Sequence, residues 1–343
     1  MAEVKEKRGA AGLLPGLGAC VVIGAAAWCM AKYIPVAGKL IGGPVFAILL
    51  GMILAFVKRP AWFQAGITFS GKKILQYSII FLGFGMDIMT VLKTGGQSLA
   101  VMLCTIAASL LTAFLVGRAL KVDGNTSILI GVGTSICGGS AIAATAPVID
   151  ADDKEVAYSI STIFLFNILA VFIFPALGRV FGMSDTGFGV WAGTAINDTS
   201  SVVAAGFSFS DAAGEMATIV KLTRTLMIIP ITLILALWRT RKVEKTDEAQ
   251  GINYSLAKIF PWFVLGFLAT AIFNSVGILP PAASNFLNEF GKFGIMVAMA
   301  GIGLNTNVKS LFKNGMRPIA LGLCCWFAVA VVSLLVQRFV GLV

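Results

Sequence analysis

The stretch GTSICGGSAIAATAPV, residues Gly133–Val148, is apolar enough to enter a bilayer, yet its middle has the composition of a loop. A glycine pair stands there among small polar side chains: Thr134, Ser135, Cys137, Gly138, Gly139 and Ser140. In hydrocarbon every backbone amide needs a partner, so irregular backbone survives only against protein or a wet cavity. Because glycine lowers the cost of leaving helical geometry, the stretch predicts an interrupted membrane helix. Close helix packing through small residues is the alternative.

A second stretch, GTAINDTSSVVAAG at Gly193–Gly206, aligns with the first and adds a carboxylate. Asp198 falls near the middle of an apolar span, where a charge is costly unless it is paired, protonated or facing water. The polar residues around it are Thr194, Asn197, Thr199 and Ser200. We therefore expect a second interrupted helix. The freed amides at the start of each new helix segment would form an anion site.

The composition places these stretches in an all-α polytopic membrane protein. Hydrophobic residues make up 58% and charged residues 12% of the chain, whereas soluble domains carry about a quarter charged residues. About eleven apolar spans are predicted from run lengths near twenty residues. They lie at roughly 11–31, 40–57, 74–90, 98–117, 127–149, 157–178, 188–206, 217–238, 256–275, 292–306 and 318–340. Histidine is absent and all cysteines fall in apolar spans, so neither a metal site nor disulfides are expected.

The net charge of +10 reflects membrane topology and does not indicate nucleic-acid binding. Basic residues are about three times as frequent on one side of the predicted spans, which places the N-terminus inside and the C-terminus outside. The predicted organisation is a cytoplasmic tail at 1–10, a first membrane bundle at 11–238, a cytoplasmic linker at 239–255 and a second bundle at 256–343. No soluble domain is expected.

An internal repeat crosses that linker. LGFGMDIMTVLKTG (Leu82–Gly95) matches AGIGLNTNVKSLFKNG (Ala300–Gly315), with Gly-x-Gly at the end of a span and then Lys-x-Gly before the next. The two copies point in opposite directions, as in inverted-repeat transporters. The two Gly-Thr stretches, however, run in the same direction by the charge count. Either one of them is re-entrant or their likeness reflects shared chemistry, and the sequence leaves both open.

Two basic residues lie inside a predicted span. Lys221 and Arg224 are three residues apart in EMATIVKLTRTLMIIP, hence on one helical face. A planar guanidinium suits two-point binding of carboxylate, sulfonate or sulfate oxygens. We expect Arg224 to bind an anionic substrate beside Asp198, with Asp198 and Lys221 coupling a proton or sodium ion. Alternatively, Asp198 and Arg224 only neutralise each other.

Four segments resemble the bacterial YeiH-type membrane proteins, often labelled a sulfate exporter family. They are GVGTSICGGSAIAATAPVIDA, STIFLFNILAVFIFPALG, WAGTAINDTSSVVAAG and VKLTRTLMIIP. The resemblance covers nearly the whole chain. It implies kinship with the bile-acid/sodium symporter and sodium/proton antiporter superfamily, with panel and core domains, two broken helices and an elevator motion. Asn197 stands where the family often has histidine, which excludes a histidine proton relay.

The leading hypothesis is a secondary transporter, in the export direction, of small anions such as sulfate or organic sulfonates. The substrate would be bound by Thr134, Ser135, Cys137, Gly138, Gly139, Ser140, Thr194, Asn197, Thr199, Ser200 and Arg224. H+ or Na+ is the expected coupling ion, and no cofactor, metal, nucleic acid or enzymatic activity is expected. The expected location is the bacterial inner membrane, and a homodimer is a possible oligomeric state. The alternatives are a cation/proton exchanger, a passive anion channel and a non-transporting scaffold.

Overall fold

The computed structural model describes residues 13–33, 42–57, 59–231, 234, 261–306 and 315–341. In these ranges the regular structure is helical and contains no strand. The α-helices are α1 Leu14–Tyr33, α2 Gly43–Leu54, α3 Gln64–Phe69, α4 Leu75–Leu82, α5 Ile88–Ala119, α6 Gly124–Ser135, α7 Gly139–Thr145, α8 Asp153–Val180, α9 Asp185–Ala195, α10 Thr199–Phe209, α11 Asp211–Leu226, α12 Trp262–Ser275, α13 Pro281–Asn305 and α14 Met316–Val340. Within the described residues α1, α5, α8 and α14 are long and apolar enough to cross a membrane.

The chain forms two compact units that interleave along the sequence. Unit 1 comprises residues 1–88 and 265–307, and unit 2 comprises 89–264 and 308–343. The predicted bundles at 11–238 and 256–343 therefore do not coincide with the compact units, because each unit draws on both sides of the segment 239–255. That segment and the tail 1–10 lie outside the described residues.

Unit 1 is held together by close helix approach. A Cβ placed on Gly51 of α2 would lie 2.6 Å from the Ala300 carbonyl oxygen of α13, and one on Gly303 would lie 2.3 Å from the Ile48 oxygen. Small residues at such crossings let backbones meet, which is how helices pack in lipid. At the end of α13, Arg59 donates to the Leu304 carbonyl oxygen at 2.7 Å.

The first copy of the predicted repeat is only partly as expected. Asp87 lies between helices, but Lys93 and Gly95 lie inside α5, not before it. Gly95 is buried against the Thr223 side chain, so packing extends the helix across the Lys-x-Gly motif. In the second copy, residues 307–314 lie outside the described part of the chain.

Unit 2 is organised around α8, which at 28 residues is about 42 Å long and exceeds the roughly 30 Å of a bilayer core. Its start is fixed by a capping box: Asp152 accepts from the Glu155 amide at 2.7 Å, and Glu155 accepts from the Asp152 amide at 2.9 Å. Such reciprocal bonds satisfy two amides that a helix start leaves free.

Residues 124–148 form a helical hairpin, hairpin A, made of α6, a tip at Ile136–Gly138, α7 and a final 3-10 turn. A Cβ on Gly133 would lie 2.9 Å from Cδ1 of Ile142. In an unbroken helix, two residues that are nine positions apart would be separated by about 14 Å along the axis. The chain thus reverses at the tip and α7 packs back along α6. The mouth of hairpin A lies at the start of α8, where Asn125 Nδ2 donates to Glu155 Oε2 at 3.1 Å.

Residues 185–209 form hairpin B, made of α9, a tip at Ile196–Asp198 and α10. Its ends meet, because Ser210 Oγ donates to Asp185 Oδ1 at 2.6 Å and the Phe188 and Phe209 rings stack 4.0 Å apart. An unbroken helix would separate residues 185 and 210 by more than about 35 Å. The mouth of hairpin B lies at the end of α8, where Arg179 Nη2 donates to the Ser208 carbonyl oxygen at 2.6 Å.

The helix interruptions occur where predicted, but the predicted spans 127–149 and 188–206 are wrong, since neither segment crosses the unit. Each arm of 7 to 12 residues reaches about half a bilayer core and the chain then turns back. Because the hairpins enter from opposite ends of α8, they form an inverted pair. This geometry resolves the conflict between the likeness of the Gly-Thr stretches and their direction.

Candidate functional site

The two hairpin tips meet at the middle of α8. A Cβ on Gly138 would lie 3.5 Å from the Asp198 Cβ, 3.4 Å from Ile163 Cγ2 and 3.6 Å from Asn167 Nδ2. Asn167 Oδ1 accepts a hydrogen bond from the Asp198 amide at 3.1 Å. Gly138 has φ 68° and ψ −128°, a conformation that side chains with a Cβ avoid. A glycine is therefore required at the point where hairpin A turns.

Arg224 of α11 joins the two tips through backbone carbonyls. Its Nε donates to the Ser135 oxygen and its Nη2 to the Thr134 oxygen, each at 2.7 Å, and its Nη1 donates to the Thr194 oxygen. The side chain is fully buried. Every guanidinium nitrogen is thus engaged with the ends of α6 and α9.

Lys221, one helical turn earlier, repeats this arrangement. Its Nζ donates to the Ile136 oxygen at 2.7 Å and to the Ile196 oxygen at 3.0 Å, and it too is fully buried. In the alignment of GTSICG with GTAIND, Thr134 matches Thr194 and Ile136 matches Ile196. The two cations therefore bind equivalent carbonyls of the two hairpins and hold the tips in matched register.

Helix electrostatics explain why cations occupy this position. The last carbonyls of a helix have no partner within it, and the C-terminal end carries roughly half a negative charge. Two such ends, those of α6 and α9, converge on α11. Positive side chains satisfy the free carbonyls and offset this charge, which makes the burial of Lys221 and Arg224 tolerable.

Asp198 lies on the other side of the tips, at the start of α10, and is partly exposed. Its Oδ2 accepts from the Ser200 amide at 3.0 Å and from the Ser200 hydroxyl, as an N-cap residue does. The two cations donate to carbonyls and not to this carboxylate. The alternative in which Asp198 and Arg224 neutralise each other as an ion pair is therefore not observed, because the guanidinium donates to the free carbonyls.

The other predicted site residues divide between a buried and an open side of the tips. Thr134, Ser135, Cys137 and Thr194 are buried, whereas Gly139 and Thr199 are partly exposed and Ser140 is exposed. Ser135 Oγ donates to the Val132 oxygen at 3.0 Å and so satisfies its own helix. Residues near 139–140 and 198–199 thus form the accessible side, next to Asp198.

Two buried polar side chains at the tips have no partner. Asn197 is 1% exposed, and neither its Oδ1 nor its Nδ2 makes a hydrogen bond; the Thr134 hydroxyl is also unpaired. Burying an amide without a partner costs about 1–3 kcal/mol by protein mutational data. Each such group in a folded protein calls for an explanation, and a bound ligand, ion or water at the tips would supply one.

Sequence reasoning missed a polar contact on α14. Thr194 Oγ1 lies 2.7 Å from Ser333 Oγ, which accepts from Gln337 Nε2 at 3.0 Å. Both α14 residues are fully buried. A polar pair four residues apart in the last apolar span was the available signal. Asn167 of α8 also contacts the tip, where its Oδ1 accepts from the Asp198 amide.

Comparisons with known proteins agree with a membrane location. A family model described as conserved hypothetical protein 698 matches residues 15–322. The UPF0324 membrane protein FN0533 of Fusobacterium nucleatum is 43% identical over 96% of this chain and 99% of its own length. The UPF0324 membrane protein of Streptococcus mutans is 48% identical over 96% of this chain and 98% of its own. UPF0324 membrane protein SpyM3_0740 of Streptococcus pyogenes is also 48% identical, with 96% and 98% covered. The chain therefore belongs to the conserved hypothetical protein 698 family, in which these relatives are named UPF0324 membrane proteins.

Proposed function

We propose that this membrane protein is a secondary transporter of small anions, coupled to a proton at Asp198. The observation that carries the proposal is the pair of opposed hairpins whose tips meet at the middle of α8, a helix long enough to cross a membrane. We place these tips at mid-membrane depth. Irregular backbone at that depth is tolerated where it lines a binding site or cavity. A purely structural helix bundle has no need of a turn that only glycine accommodates, as at Gly138, or of two buried cations.

The charges at the tips support an anionic substrate. Lys221 and Arg224 bring two positive charges and Asp198 one negative charge, which leaves a formal excess of one positive charge. The four helix ends at the tips contribute two negative and two positive half charges, which cancel. The excess becomes two positive charges when Asp198 is protonated, so a bound anion would offset positive charge in either state in a low-dielectric setting, where charges interact strongly.

Asp198 supplies a reason for coupling. It lies on the accessible side of the tips beside Thr199, so an anion binding there would face a like charge unless Asp198 were protonated. Protonation of Asp198 and anion binding would then favour each other, and the protein would carry both together. In this proposal Arg224 and Lys221 act as supports of the tips and do not contact the substrate.

The resemblance to YeiH-type proteins supports the finer proposals. It favours sulfate or organic sulfonates as substrates, export as the direction and an elevator motion of the domain that holds the site. For orientation we propose that the N-terminus and the mouth of hairpin A are cytoplasmic and that the C-terminus and the mouth of hairpin B are outside. Compared with the eleven-span topology, only Lys154 and Arg179 exchange sides, so the excess of inner basic residues is unchanged. No enzymatic step, metal or cofactor enters the proposal.

A cation/proton exchanger is the second candidate. It is favoured by the position of Asp198, whose carboxylate is partly exposed and makes no direct salt bridge among the described residues, although Lys221 is near enough to interact with it electrostatically. In that case the carboxylate would bind the cation directly, and Lys221 and Arg224 would again only hold the tips.

Counterflow in proteoliposomes tests the anion proposal. Vesicles containing the purified protein and loaded with unlabelled sulfate or a simple sulfonate are expected to take up the labelled anion. An exchanger for cations would instead show pH-driven sodium flux and no anion uptake. Empty liposomes and the Asp153→Asn variant, altered at an exposed residue outside both hairpins, are the controls. Sodium flux without anion counterflow would contradict the proposal.

A further inference from the structure

The Asn197 side chain makes no structural hydrogen bond at the hairpin tips. It belongs to the tip of hairpin B and lies between Ile196, whose carbonyl receives Lys221, and Asp198 on the accessible side. The amide is buried, and both its oxygen and its nitrogen lack partners. It precedes the partly exposed Asp198 in the chain, and its one donor group and one acceptor group are unused.

The chemistry of a primary amide limits what can satisfy both groups at once. The amide nitrogen needs an acceptor and the amide oxygen needs a donor. A single ligand meets both needs if it presents an oxygen next to an O–H, because the two hydrogen bonds then run side by side. Oxyanions that keep one proton have this arrangement. Fully deprotonated sulfate and sulfonates lack the donor and would leave the Asn197 oxygen unpaired.

We infer that Asn197 is a specificity-determining residue that selects a monoprotonated oxyanion, binding one of its oxygens through Nδ2 and its hydroxyl through Oδ1. This inference rests on the proposed anion transport and narrows its substrate class. It predicts that phosphonates and phosphate that keep a proton, bicarbonate and bisulfite bind more tightly than sulfate. A site built to bond a substrate hydroxyl rejects analogues without it, since the buried acceptor is then left unpaired.

A matched pair of anions tests this selectivity. In mildly acidic buffer, methylphosphonate carries one negative charge and one P–OH, and methanesulfonate has the same charge and nearly the same shape without the hydroxyl. We expect methylphosphonate to bind the full-length protein roughly tenfold more tightly, as one hydrogen bond is worth. Dissociation constants come from the rise of the apparent unfolding temperature with ligand concentration. Equal binding of the two anions overturns the inference and leaves the proposed function standing, whereas binding of neither anion argues against both.

The Asn197→Leu variant tests whether Asn197 causes the preference for methylphosphonate over methanesulfonate. It removes both polar atoms at similar volume, and because neither atom has a partner, the ligand-free variant is expected to be at least as thermally stable as the parent. Its two dissociation constants are expected to become equal. Loss of stability would show that the amide has structural partners, and a preference that survives in the variant would assign it to another residue. Either result overturns the inference.

Discussion

Replacement of Arg224 by alanine is expected to destabilise the protein severely, by roughly 4 kcal/mol or more. The guanidinium binds carbonyls of Thr134, Ser135 and Thr194 in a fully buried setting. Hydrogen bonds to charged groups contribute about 1.5–3 kcal/mol each, and a buried acceptor left unpaired costs about 1–3 kcal/mol. The apparent unfolding temperature of the purified protein in detergent measures the effect.

Two further variants make this result specific. Arg338→Ala, at an exposed position near the end of α14, is expected to change stability by no more than about 0.5 kcal/mol. Arg224→Lys keeps the charge but lacks the planar fork that reaches both hairpins, so it should lose most of the stability lost in Arg224→Ala. A stable Arg224→Ala variant that fails only to bind anions would instead restore the direct substrate role first expected for Arg224.

Replacement of Asp198 by asparagine is expected to uncouple transport from the proton gradient while preserving anion counterflow. Asparagine is as good an N-cap as aspartate, so the bond from the Ser200 amide is retained, and it mimics the protonated acid. With one proton carried per monovalent anion, a pH gradient of one unit drives about tenfold accumulation on the alkaline side. The Asp198→Asn variant should show no accumulation driven by the pH gradient.

The same variant separates the two candidate functions. In a cation/proton exchanger the Asp198 carboxylate is the cation ligand, and Asp198→Asn would abolish transport altogether. Anion counterflow that persists, with its pH dependence removed, supports proton-coupled anion transport. Accumulation that still follows the pH gradient would contradict the role assigned to Asp198.

The charged residues of the site were predictable because burying a charge in a membrane costs much free energy. Asp198, Lys221 and Arg224 stand out in apolar runs, and the Gly-Thr stretches indicated the interruptions at the correct residues. The three-residue spacing of the two cations correctly placed them on one face. What they bind was not predictable, because the free carbonyls that attract them exist only once two helix ends converge.

The sequence predicts spans in place of the two hairpins because the length of an apolar run does not distinguish a hairpin from a crossing helix. Two half-depth arms in series contain as many apolar residues as one full-depth helix, and a reversal at Gly138 leaves the hydropathy unchanged. The available signal was the direction conflict between the two aligned Gly-Thr stretches.

Side-specific labelling of single cysteines tests the opposed hairpins most directly. In a background without the six native cysteines, Asp123→Cys and Lys154→Cys flank hairpin A, and Thr186→Cys and Ala212→Cys lie at the mouth of hairpin B, all at exposed positions. A membrane-impermeant maleimide is applied to intact and to opened vesicles. We predict that positions 123 and 154 react from one side of the membrane and positions 186 and 212 from the other. Reaction of 123 and 154 from opposite sides would show that the segment between them crosses the bilayer, and the meeting of two re-entrant tips would then be wrong.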